Sequence, residues 1–224
     1  ADSGWRAPRL PPSAAMSPSL LVLCALGARG PVKTRLPTNT KGNLFVDSSC
    51  INCDTCRWMA PETFGHAQGK SYVARQPESA TDRRRAAAAA VACPTGSIRT
   101  EAPMEEAKEA ARDLLFPAVG DRAPHVRHIG LHSPKSFGGA PYLIAAPGKP
   151  VVLVDSPRYS SKAAKRIEEL HGAPDLMLLT HIDDVGDHDK WAARFPGMRR
   201  VLHASEIRGP ERWPYTDLRG VEMP

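Results

Sequence analysis

Four cysteines stand where thiolates can meet. Cys50, Cys53 and Cys56 are each separated by two residues, and Cys93-Pro94 follows much later. Three thiols so spaced on a tight turn can converge on one face of an inorganic cluster, and a distant fourth can close it. Zinc also takes four thiolates, but zinc sites usually present two separated Cys pairs, so the triad plus Cys-Pro favours an iron-sulfur cubane. Such usage argues for a reducing compartment, because oxidising surroundings would favour disulfide pairing. The fifth cysteine, Cys24, reads as a plain buried or disordered thiol. Backbone N–H groups of the 50–56 turn are expected to point at the sulfides. Burial under Ile51, Trp58, Met59, Phe64 and Ile98 would further tune the potential, with Trp58 as covering core and not an electron relay.

The elements around these thiols are short. Residues 44–46 predict a strand that delivers the chain into the turn, and 54–59 one or two helical turns stopped by Pro61. Residues 71–75 form a second strand candidate. The alanine-rich stretch 79–92, with Asp82 near its positive end, predicts the helix that carries Cys93. Pro94-Thr95-Gly96 then turns the chain into a third strand at 97–99. Residues 104–115 predict a linking helix.

Beyond the linker, strands alternate with helices, as in an α/β layered domain. Strands are expected at 125–131, 141–145, 151–155, 176–180 and 200–203, and helices at 161–171, ended by Gly172, and 187–195. After the 176–180 strand comes His181-Ile-Asp183-Asp184-Val-Gly-Asp187-His188. Open α/β layers place sites at the C-terminal ends of strands, where a helix N-terminus faces them. A water on two metals held there could be deprotonated near neutral pH and attack an ester, thioester or phosphoryl centre, as the resemblance given below implies. The plainer alternative is that the aspartates cap the next helix, with His181 and His188 packed beside it. His125, His128 and His132 read as a chance grouping.

Cys50-Ile-Asn-Cys53-Asp-Thr-Cys56 together with Cys93-Pro94-Thr95-Gly96-Ser97-Ile98 resembles the bacterial-type ferredoxin signature. Where two-cluster members carry a further Cys before Pro, this chain has Ala60-Pro61, which implies one 4Fe-4S cluster held by Cys50, Cys53, Cys56 and Cys93. His181 and the Asp187-His188 pair, set among matching strands, resemble the first metal motif of the metallo-β-lactamase fold, His-x-His-x-Asp-His. That resemblance implies a metal site of His181, Asp183, Asp187 and His188, with Asp187 as the catalytic group orienting water. Asp183 replaces an imidazole, which shifts preference from Zn toward Fe or Mn. Only 36 residues follow His188, too few for the second half of that fold, so an uncovered apolar sheet face is expected.

The whole arrangement resembles the ferredoxin and metallo-β-lactamase fusion proteins of photosynthetic organisms. It implies an α+β ferredoxin-like N-terminal domain (43–102), a linker helix (103–122) and a partial α/β metallo-β-lactamase (αββα) domain (123–224). Residues 1–42 read as disordered and transit-peptide-like, poor in acids and rich in Pro, Ala, Ser and Arg. The net charge is +6, and six cations against Asp2 alone in the first 46 residues account for five of those charges. The remainder is close to neutral and carries no recognisable nucleic-acid-binding module, so no nucleic-acid partner is expected. The apolar run at 20–26 is far below the ~20 residues of a membrane span.

The expected function is a redox-linked metallohydrolase of unassigned small-molecule substrate, inactive in this truncated form. The alternative is a non-enzymatic electron-transfer ferredoxin with a relic scaffold domain. A redox partner protein and a chloroplast (stromal) location are further expectations, with the cytoplasm otherwise.

Overall fold

The computed structural model describes residues 32–112, 115–118, 122–206, 218 and 220–222. Most of the transit-like segment, Cys24 included, lies outside the described residues. Residues 34–224 form one compact unit.

The cysteine-bearing part is built from small pieces. Strand β1 (Leu44–Val46) pairs antiparallel with β4 (Ile98–Thr100), and β2 (Phe64–Ala67) with β3 (Lys70–Val73). Helix α1 (Thr55–Met59) follows the cysteine turn, and α2 (Ala80–Ala92) ends at Cys93. Ser79 accepts from the Asp82 N–H at the start of α2, satisfying one of the donors that a helix leaves open. Leu44, Val46, Phe64, Val73, Ala86, Ala89 and Ile98 form the core here. The boundary expected at 42/43 moves upstream. Leu36 N–H donates to Val46 O, the Asn39 carboxamide bonds to Val46 and Val73, and the Leu36 side chain packs against this core, so the stretch around 36–39 is part of the cysteine-bearing region. Strand β2 was absent from the sequence expectation, because Phe-Gly-His-Ala has no two-residue alternation to reveal it.

The expected linker helix is shorter than 104–115. Helix α3 spans Glu105–Arg112, and β5 (Leu115–Ala118) then enters the next sheet. That sheet runs β10-β9-β8-β7-β6-β5, with β6 (Val126–Ile129), β7 (Tyr142–Ile144), β8 (Val152–Val154), β9 (Leu176–Leu179) and β10 (Arg199–Leu202). Strands β5 to β8 are antiparallel neighbours. Strands β8, β9 and β10 are parallel, connected through α4 (Ser161–His171) and α5 (His188–Arg194), since parallel neighbours need crossovers.

Alternation along the strands sends Leu143, Leu153, Met177, Leu179 and Leu202 into a core with Ala163, Ala164, Ile167, Trp191 and Phe195. Each such buried aliphatic contributes roughly 1.5–3 kcal/mol. The other face of the sheet carries Val152, Val154, Leu176, Leu178 and Val201, half-buried to exposed. The fold is therefore mixed α/β with two hydrophobic cores in one compact body. The linker does not hold the two parts apart: Arg158, after β8, donates to the carbonyls of Val91 and Cys93 at the end of α2.

Candidate functional site

The turn from Cys50 to Cys56 depends on two residues in the left-handed region, Asn52 (φ 61°) and Asp54 (φ 70°). Asn and Asp tolerate that conformation because their short polar side chains can bond locally. Arg57 supplies the partner for both: its guanidinium lies 2.9 Å from Asn52 Oδ1 and 2.6 Å from Asp54 Oδ1. Lys70 Nζ donates to Cys50 O at 2.7 Å, which ties the turn to β3.

These constraints bring all four expected cysteines, Cys50, Cys53, Cys56 and Cys93, to the wall of one cavity. Apolar groups from Val46, Ile51, Pro94 and Ile98 also line it. Among the described residues, no three His, Cys, Asp or Glu side chains converge on a point that a single metal ion could occupy.

Polar hydrogens surround the sulfurs. Cys50 Sγ accepts from the Asn52 N–H at 3.4 Å, Cys53 Sγ lies 3.4 Å from Thr55 Oγ1, and Cys93 Sγ 3.4 Å from Ser97 Oγ. Burial pushes the Cys93 thiol up, but hydrogen bonds from Ser97, Thr95 and Ile98 more than offset it and hold the thiol below its ordinary value. Burial pushes the Cys56 thiol up to about 12, so it holds its proton near pH 7. Trp58, expected as cover, is 48% exposed, because α1 turns its outer face to solvent and the ring packs edge-on against His128, centroids 4.9 Å apart.

The second expected site is dispersed. His181 Nδ1 accepts from the Asp183 N–H, and its Nε2 lies 3.3 Å from Glu206. Asp187 is buried and takes Lys135 at 2.8 Å, Lys190 at 3.0 Å and the Tyr159 N–H at 3.0 Å. Burial would raise its pKa, but these donors hold it down at about 2. His188 Nδ1 faces the Arg200 guanidinium at 2.8 Å. Of the four expected metal ligands, His181 and Asp183 thus face each other, 3.4 Å apart between Nδ1 and Oδ2, while Asp187 and His188 each meet cations of their own. Cations already neutralise Asp187, which leaves it poorly disposed to orient water. Nor does its side chain cap α5.

Near them, Asp155 (φ 59°) accepts from the Thr180 N–H and hydroxyl, and Asp184 is pushed up to about 6 by burial and by Asp155.

One loop touches both regions. Gly138 lies so close to Cys53 that a Cβ on it would sit 2.6 Å from the Cys53 Cβ, while a Cβ on Gly139 would sit 2.1 Å from Asp184 Oδ1. His132, fully buried at the start of that loop, contacts Thr55 Oγ1 at 3.0 Å and Gly138 O at 2.8 Å through Nδ1. Its Nε2 lies 2.7 Å from His128 Nε2. Burial depresses both rings to about 4, and His132 lowers His128 further, so both are neutral near pH 7. In the sequence alone these histidines look like a chance grouping. Only their four-residue spacing across a strand end hinted at a pair, and nothing in the order of residues announced Thr55 as a neighbour 77 positions away.

No curated protein and no solved structure matches this chain. Residues 46–100, which hold all four cavity cysteines, match the family model of the 4Fe-4S single cluster domain of ferredoxin I, so the chain carries a ferredoxin-type iron-sulfur domain.

Proposed function

We propose that this protein is an electron carrier whose single 4Fe-4S cluster is held by Cys50, Cys53, Cys56 and Cys93, and whose sheet portion is a scaffold and not a hydrolase. The observation that carries this reading is the common cavity of the four thiols inside the matched segment. When bound, such a cluster supplies one-electron transfer. The chain's own contribution is to hold the thiolates, surround them with hydrogen-bond donors and restrict water.

The order of the sheet, with Asp155 and His181 after parallel strands and one apolar face half-exposed, supports descent from the first half of a metallo-β-lactamase layer. The paired state of Asp187 and His188 supports the scaffold role over the redox-linked hydrolase. A stromal location and a redox partner protein belong to the same proposal.

Anaerobic purification with iron and sulfide counts and EPR after reduction tests it. Four irons and four sulfides per chain are expected, lost on Cys53→Ser, with no ester or thioester hydrolysis in Zn, Fe or Mn. A colourless zinc protein would refute the cluster. Metal-dependent hydrolysis abolished by His181→Ala would refute the scaffold role.

A further inference from the structure

The sheet portion sends a chain of hydrogen bonds to the sulfur of Cys53. Gly138 O can only accept, so the proton on His132 Nδ1 points toward it and toward the neighbouring Thr55 hydroxyl. Thr55 Oγ1 accepts on that side, which leaves its single proton for Cys53 Sγ at 3.4 Å. At the other end of the ring, two Nε2 atoms 2.7 Å apart share one proton. With the His132 proton on Nδ1, His128 donates and His132 accepts. Thr55, His128 and His132 are 2%, 6% and 0% exposed, so water competes little for these bonds. Trp58 and Tyr142 pack against the His128 ring and fix its plane.

We propose that Thr55 and His132, oriented by His128, are positioning residues that set the reduction potential of the cluster through the Cys53 sulfur. The inference rests on the proposed cluster and extends it: the sheet portion becomes part of the redox centre. A cluster gains negative charge on reduction, part of it on the thiolate sulfurs. An O–H···S bond is therefore stronger in the reduced state and raises the potential. His132 strengthens that donor by fixing the hydroxyl rotor and polarising it, since buried hydrogen bonds in series reinforce one another.

The test is a redox titration, followed by EPR, of the wild-type protein, Thr55→Val, Thr55→Ser, His132→Gln and the double variant. Thr55→Val keeps shape and removes the donor. It is expected to shift the ratio of reduced to oxidised protein about tenfold toward oxidised at a fixed potential, which is about 59 mV for one electron. Thr55→Ser restores the wild-type value. His132→Gln shifts in the same direction by less, and adds little to Thr55→Val in the double variant. Should Thr55→Val fail to retain its cluster, His132→Gln reads the same shift. A cluster-loaded Thr55→Val with unchanged potential overturns the relay and leaves the proposed carrier intact, as does a His132→Gln shift of equal size with and without Thr55. A wild-type protein without iron and sulfide overturns both.

Discussion

Lys135 Nζ lies 2.8 Å from Asp187 Oδ1 and joins the loop after β6 to the start of α5 across 52 positions. Lys190 and the Tyr159 N–H share the same carboxylate. The aspartate that sequence pattern assigns to a metal site therefore works as a junction of three segments.

Asp187→Asn is expected to cost about 1–3 kcal/mol. It removes charge-assisted bonds, while both lysines are half-exposed and stay solvated. Urea unfolding measures the loss. The folded pKa of about 2 lies below the usual 3.8, so this contribution is complete above pH 4 and disappears as pH falls through 2. The acid limb of the stability profile should flatten in Asp187→Asn.

Gly138→Ala should lose most of the bound iron. Gly138 has φ +85°, and an added Cβ would come within 2.9 Å of the Cys53 sulfur. Left-handed strain and the clash together cost about 1–3 kcal/mol. Both displace the thiolate from its cavity. Iron per chain and melting temperature report the two effects separately, and a fully loaded variant would mean that the loop moves freely away from Cys53.

Trp191→Ala should destabilise the sheet portion by about 3–5 kcal/mol, because the ring is fully buried between α5 and the sheet. Trp191→Phe should cost about 1–3 kcal/mol, since the buried Pro157 carbonyl loses the indole N–H at 2.8 Å. Chemical denaturation distinguishes the two.

The order of residues by itself determined the chemistry of the cysteines and nearly all the elements. A two-residue spacing is local, and so are Ser79 before an alanine run, Gly172 after an amphipathic helix and the alternation in the strands, so each leaves its mark within a few positions. Tertiary packing decided what each polar side chain meets. His181, Asp183, Asp187 and His188 sit in the pattern of a metal motif, yet Glu206 reaches His181, Lys135 reaches Asp187 and Arg200 reaches His188 from elsewhere in the chain. Thr55 lies within the cysteine motif and His132 in none, and neither position marks the other as its partner. Their contact exists because the loop at 132–139 folds over the cysteine turn, and hydrogen-bond partners 77 residues apart are chosen by the packing of two cores and not by any spacing.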